Sequence, residues 1–418
     1  MAATSYVFYT DTPNSSRFLS MLVSPKEVVM GSDVYQVMYC HLLCGLRFWD
    51  SVDGIRAPYA AGLIRAFSLL EAKWEQLCID LENGFPSKEI VTDNSIRECV
   101  VQILSGSQLD LSNRVRLICG GKKWDGILGK LWPNARYVKT VSSGSMQQYY
   151  SKLKFYAGNM PIVGGDYFAS ECSVALNFDI MQPPERTSYV MLPTAAYFEF
   201  LPFDSHGSGN GTAQQETVGL SGVEVGKMYE VVVTTYRGLY RYRLGDIVRV
   251  IGFHNSSPEV EFVMRDPQSS HGMITERDVI SAVERFQLAV KDGIDTEITE
   301  FSSFLEVKKQ PKQLKIFIEV KEGSALLPNE KLEEYLGDLR KYCAFIEQSL
   351  GGIYGVMKAR NELGPLILVI VKPGSFDSLL RVAIENGSSA SQYKPPKILR
   401  SYKIVELLES SAIVTIEA

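Results

Sequence analysis

The sequence predicts a mixed α/β chain, with a large α/β N-terminal domain and a smaller α+β C-terminal domain. Three observations predict it: a long amphipathic helix early in the chain, short β-rich segments from about residue 186, and renewed helix–strand alternation in the last third. The helix spans residues 59–82. Leu63, Phe67, Leu70, Trp74, Leu77 and Leu81 recur at steps of four and three, which places them on one face. Asn83-Gly84 and then Pro86 supply the stop. Residues 33–48 read as a second apolar helix capped by Ser32 or Asp33.

The segments "SYVMLP", "YFEFLPF", "MYEVVVTTY", "DIVRVIGF" and "VEFVM" are rich in β-branched and aromatic residues and read as strands. A polar loop at 204–216, "DSHGSGNGTAQQE", separates two of them. Beyond them, helices at 277–290, 330–348 and 376–386 alternate with the strands "LKIFIEV" and "PLILVIV". The strand pattern ends at Arg265-Asp266, where "DPQSSHGM" begins, so the domains are expected at 1–265 and 266–418.

Composition narrows the function. The 418 residues are 45% hydrophobic and 22% charged, with a formal net charge of −5, which gives no electrostatic reason for a nucleic acid or membrane partner. Seven scattered cysteines, an odd number, favour free thiols over a disulfide framework. Cys40 and Cys44 sit at i,i+4 but among leucines, a poor zinc site. The chain opens without a basic segment leading into an apolar one, and its longest apolar run, 365–371, is too short for a bilayer; a cytoplasmic location is expected. Four histidines in no recognisable motif argue against a zinc enzyme or a hydrolase triad, and the Walker A and Rossmann glycine patterns are absent.

Four stretches offer chemistry. "SSGSMQQ" at 142–148 has the Ser/Gly content of a loop that wraps phosphate oxygens. In "GLYRYRLGDIVRV" at 238–250, Asp246 after Gly245 suits a ribose diol, while the competing reading is an ion pair of Arg241 or Arg243 with Asp246 across a β-turn. In "GGDYFASEC" at 164–172, Gly164 and Gly165 allow close backbone approach to a ligand, and Glu171 offers a hard oxygen for Mg²⁺. In "GSSASQYKPPK" at 387–397, Lys394 rides on a loop that could deliver it into a site.

Together these stretches resemble the plant acyl-acid amido synthetases, a branch of the adenylate-forming superfamily. "VMYCHLLCGL", "LWPNARYV", "SGSMQQY", "YFEFLPF", "GLYRYRLGDIVRVIGFHN", "GPLILVIVKPGSFD" and "SQYKPPK" occur in family order, from about Thr4 to the end of the chain. The resemblance implies an adenylate-forming architecture with ATP and Mg²⁺. It also implies two small-molecule substrates, an acyl acid and an amino acid, joined through an acyl-adenylate. Auxin (indole-3-acetic acid) is the default acid and jasmonate the next.

Carried over by position, the resemblance gives Lys394 as the adenylation lysine and Glu171 as a catalytic acid and Mg²⁺ contact. It assigns the nucleotide to Gly165, Asp166, Tyr167, Phe168, Asp246 and Arg265, and makes Asp266 the hinge. It assigns the acyl acid to Ala169, Ser170, Cys172 and Ser173, and the amino acid to Ser5, Tyr6, Lys372, Gly374, Ser375 and Phe376. Ser173 departs from the pattern, standing where relatives carry an aromatic wall. The family's phosphate loop precedes the "TSY" segment with which these residues open, so the N-terminal domain is expected to be incomplete. "SSGSM" then aligns with a later turn on the substrate side. An inactive homologue that binds acyl acid or AMP is the alternative.

Overall fold

The computed structural model describes residues 19–121, 123–203, 216–265, 274, 276–290, 297–321, 332–386 and 393–418. The expected 204–216 loop (but for Glu216), Ser5, Tyr6 and the hinge candidate Asp266 therefore lie outside the described residues.

Three sheets organise the chain. The first is parallel, in the order β1 (Ile55–Tyr59), β2 (Val138–Val141), β3 (Ile162–Gly164). Helices fill the crossovers that parallel strands require. Helix α1 (Val34–Arg47) precedes β1. Helices α2 (Ala60–Asn83), α3 (Asn94–Leu104), α4 (Leu109–Cys119) and α5 (Ile127–Leu131) join β1 to β2, and α6 (Tyr150–Ala157) leads into β3.

The expected stripe on α2 is the core: Leu63, Phe67, Leu70, Leu77 and Leu81 are all buried. Asp33 caps α1, its carboxylate accepting from Gln36 N at 2.9 Å. The buried Asp80 carboxylate accepts from Tyr39 O–H, Gln76 Nε2 and Ser87 N, tying α1, α2 and the following loop together. All seven thiols are free, five of them buried. No helix among the described residues is long and apolar enough to cross a membrane.

The second sheet has eight strands, ordered β4 (Tyr167–Phe168), β5 (Ser173–Leu176), β6 (Tyr189–Met191), β11 (Ser257–Arg265), β10 (Tyr242–His254), β9 (Met228–Thr234), β7 (Tyr197–Pro202), β8 (Val218–Gly219). Its pairings are antiparallel. The five strands expected from β-branched content form five of its eight, and Phe198, Phe200, Val231, Val233, Val248 and Val260 make its core.

The third sheet runs β12 (Ile298–Glu306), β13 (Gln313–Val320), β14 (Ile367–Val371), β15 (Ala412–Glu417). On it lie α7 (Glu276–Val290), α8 (Leu332–Ser349), α9 (Gly352–Ala359), α10 (Ser375–Glu385) and α11 (Tyr402–Ser410). Apolar clusters cover it on two sides.

Gly84 ends α2 at φ +77°, and a Cβ there would lie 2.4 Å from the backbone carbon of Gly106. Left-handed strain and a backbone clash then act together. Gly84→Ala is expected to cost about 2–4 kcal/mol, read as a lower denaturation midpoint of the helical region; an unchanged midpoint would contradict this packing.

Candidate active site

The carboxyl ends of β2 and β3 open onto the first strand of the second sheet. β3 ends at Gly164, and only Gly165 and Asp166 intervene before β4. Ligands in α/β folds gather outside the carboxyl ends of parallel strands, and this junction holds most of the expected nucleotide residues.

Asp246 forms its centre. On β10 the register against β9 slips between Arg243 and Ile247, where Gly245 adopts φ +73°. Such a bulge re-aims the residues within it. Asp246 faces Arg265, its register partner at the end of β11, and is 4% exposed. Arg265 Nε donates to Asp246 Oδ1 at 3.0 Å, and Tyr167 O–H donates to Oδ2 at 2.7 Å. The Asp246 carboxylate holds the Arg265 guanidinium above its ordinary pKa. Burial, and then the same carboxylate, push the Tyr167 phenol well above its usual range. Tyr167 is fixed by ring contacts with Tyr189 and Phe262, at centroid distances of 5.6 and 6.1 Å.

The turn-pair reading of the "RYR" arginines does not hold. Arg243 pairs with Glu230, and Arg241 with Glu199 and Thr217. Cross-strand geometry decides this, because those side chains meet acids on β9 and β7 while Asp246 looks towards β11.

The glycine pair also serves an internal purpose. A Cβ on Gly164 would sit 2.6 Å from the Asn177 side chain, and one on Gly165 2.8 Å from Val141. Both glycines thus allow close packing against Asn177 and β2. Asp166 accepts from Asn177 N at 3.1 Å and lies 3.9 Å from Lys139 Nζ.

Residues 169–172 turn the hairpin between β4 and β5, closed by Ala169 N donating to Cys172 O at 3.0 Å. Phe168 and Ser170 are exposed, and Glu171, Cys172 and Ser173 half-buried. Burial, with Glu171 beside it, pushes the Cys172 thiol up to about 11, which keeps it protonated and unreactive at neutral pH. Among the described residues no three His, Cys, Asp or Glu side chains cluster as a metal cage. Mg²⁺ binds through one or two carboxylates plus phosphate oxygens, a role the single carboxylate of Glu171 fits.

The "VKPGSF" turn splits. Ser375 Oγ donates to Lys372 O at 2.6 Å, Phe376 is buried in the core of the third sheet, and Phe376 N donates to Glu319 at 2.9 Å. Lys372 and Gly374 remain at the surface or half-buried.

Lys394 lies on the segment that leads onto the edge of the third sheet, within electrostatic range of Asp246 and Arg265. Residues 396–399 run along β12: Ser303 N donates to Lys397 O and Leu399 N to Ser303 O, each at 2.7 Å. This anchors the chain just beyond Lys394. The side chain keeps contact with solvent, yet protein crowds it enough that desolvation lowers its pKa. Arg265 and Lys397 act in the same direction, while Glu276 and Asp246 oppose them. The Asp246 carboxylate is thus among the charges that act on Lys394.

The expected phosphate-like stretch lies elsewhere in role. Residues 144–149 form a 3₁₀ turn between β2 and α6, with Ser145 and Met146 buried. Its last residue, Tyr149, meets Glu300 and Lys397. Sequence reading missed all three: 151 residues separate Tyr149 from Glu300, 97 separate Glu300 from Lys397, and no local pattern links them.

Three sheets, the first parallel, the second antiparallel and the third mixed, define a multidomain α/β protein rather than a single doubly wound sheet. Its sequence matches the GH3 family N-terminal domain over residues 1–162, the central domain over 189–265 and the C-terminal domain over 277–403. The chain belongs to the GH3 family. It is 47% identical over 406 residues to a probable indole-3-acetic acid-amido synthetase of Oryza sativa subsp. japonica, covering 95% of this chain and 82% of that protein. It is 38% identical over 404 residues to a jasmonoyl–L-amino acid synthetase of the same plant, covering 93% of this chain and 67% of that protein. A solved acyl acid amido synthetase superposes with a TM-score of 0.80 at 32% identity, over 95% of this chain and 68% of that one.

A lowered lysine pKa leaves more free amine at mildly alkaline pH. Lys394 is therefore expected to react with an amine-directed acylating reagent at about pH 8.5 faster than other exposed lysines. Asp246→Asn, which removes an opposing charge, is expected to raise the rate further. Peptide mass spectrometry reads both, and ordinary labelling of Lys394 would contradict the placement.

Proposed function

We propose that this chain is an acyl-acid amido synthetase, an amide-forming ligase that joins an amino acid to a carboxylic acid through an acyl-adenylate. Indole-3-acetic acid is the first choice of acid and jasmonate the second. The observation that carries the reading is the nearly buried Asp246 carboxylate held by Arg265 and Tyr167, with the Lys394 cation within electrostatic range of it. The family and its named members support the ligase class.

In the first half-reaction a carboxylate oxygen of the acid attacks the α-phosphorus of ATP. The bond from that phosphorus to the bridging oxygen breaks, and pyrophosphate leaves. Tyr167 and Arg265 each occupy one lone pair of the Asp246 carboxylate, which leaves one on each oxygen for a ribose diol. The ammonium of Lys394 offsets the negative charge shared by carboxylate and phosphate as they approach. Glu171 would hold Mg²⁺, which supplies further charge neutralisation on the phosphate oxygens.

In the second half-reaction the neutral amine of the amino acid forms a bond to the acyl carbon. The carbon–oxygen bond to AMP breaks, and the amine loses a proton. Exclusion of water from the adenylate falls to closure of the third sheet over the junction. The domain boundary is proposed at Arg265-Asp266, directly after the arginine that pairs with Asp246.

Acyl-acid-dependent ATP–pyrophosphate exchange tests the reading, with indole-3-acetate and jasmonate as acids. Lys394→Ala is expected to lower exchange by about 100-fold with AMP affinity kept. Asp246→Ala is expected to weaken AMP binding about 10-fold or more. Because the ammonium is the active form and its pKa is lowered, exchange is expected to fall on the alkaline side well before an ordinary lysine would titrate. No exchange with either acid would contradict the ligase, and unchanged AMP affinity in Asp246→Ala would remove the ribose role.

A further inference from the structure

Lys397 is wholly buried, a rare state for a lysine. Its Nζ donates to Glu300 Oε1, to Phe301 O at 3.3 Å and to Tyr149 Oη at 3.4 Å, and lies 4.4 Å from the centre of the Phe301 ring. Glu300, 8% exposed, accepts from Tyr149 O–H on its other oxygen and from Phe301 N at 2.9 Å. Lys397 and Glu300 both belong to the third sheet and its edge segment. Tyr149 comes from the 3₁₀ turn after β2, in the first sheet's layer.

We propose that Tyr149, through the buried Glu300–Lys397 pair, is a latch that docks the third sheet onto the first and thereby positions Lys394 for the adenylation step. This rests on the proposed function for the identity of the step, but not for the existence of the latch.

The geometry gives the latch its selectivity. Lys397 lies three residues beyond Lys394, and its backbone is bonded to β12, so the two lysines are expected to move with the sheet as one piece. The Glu300–Lys397 pair is internal to that piece and stays together whether or not the piece is docked. Docking adds two charged hydrogen bonds at the Tyr149 phenol, one given to Glu300 and one taken from Lys397, and seals the pair from water. An ion pair strengthened by dehydration and satisfied by a neutral donor from across the joint closes cleanly and reopens without separating two charges. Burial, then Glu300, push the Tyr149 phenol well above its usual range, so it stays a donor.

Three further contacts cross the same joint. Lys152 Nζ lies 2.8 Å from Glu297, Arg65 Nε lies 3.5 Å from Asp377, and Arg65 stands over the ring of Tyr393, next to Lys394. Each involves partly exposed charges, which contribute little individually. Of these four polar contacts among the described residues, the Tyr149 one alone is buried on both sides, so it is assigned the positioning role.

The test uses the full chain and Tyr149→Phe, which keeps the ring, the packing and the internal ion pair. The latch predicts that the maximal rate of acyl-acid-dependent ATP–pyrophosphate exchange falls tenfold or more while the dissociation constant for AMP changes less than twofold. It also predicts a larger radius of gyration in small-angle scattering. Lys397→Met, which removes the buried cation, is expected to do the same. Exchange and scattering both unchanged in Tyr149→Phe would overturn the latch. A wild-type chain without exchange would overturn the proposed ligase instead. The scattering comparison would then decide the latch alone, expansion of the variant supporting it and identical curves refuting it.

Discussion

The Asp246 carboxylate is the constraint on which the rest of the site depends. A charge so nearly buried must be met by partners. Its two partners come from different places: Arg265 from the end of β11 and Tyr167 from β4, at the far edge of the same sheet's run β4-β5-β6-β11-β10. The one carboxylate therefore fixes where the long hairpin ends and how the strand leaving the parallel sheet enters the antiparallel one. The hairpin turn at 169–172 follows closely after Tyr167, so its position is set by the same bond.

Much of this was legible in the sequence wherever a period or a single-residue preference carried the information. The α2 stripe, the Asp33 cap, the Gly84 stop and the β-branched strands all follow from local rules. Helices α3 and α4 were not read, although Asp93 caps α3 and Ile96, Val100 and Leu104 give it a buried face. Their apolar residues are diluted by charge, so the stripe is narrow. Asp246 stands out in the sequence as the acid after Gly245, but sequence spacing points to its nearest arginines as partners. Strand register, which sequence spacing does not reveal, gave that place to Arg265. The glycines of "GGDYF" suggest close backbone approach from their type alone, but that they admit Asn177 and Val141 follows only from the three-dimensional packing.

The stretch at 142–148 shows the same limit from the other direction. Its Ser/Gly content suits a phosphate loop, and the resemblance moved it to the substrate side. The structure adds that the turn ends in Tyr149, a contact to the third sheet whose partners lie far along the chain. Lys397 carries no local sign of burial, yet it is buried because Ser303 N of β12 donates to its backbone carbonyl and Glu300 pairs with its ammonium. Long-range electrostatics of this kind leave no local signature.

The most direct measurement of the central claim is hydrogen exchange on the chain with AMP and an acyl acid added together. If the Asp246 centre is where the three sheets gather around the nucleotide, protection rises in concert at residues 164–172, 243–248 and 394–399. Protection confined to one sheet, or absent from 243–248, would contradict the account.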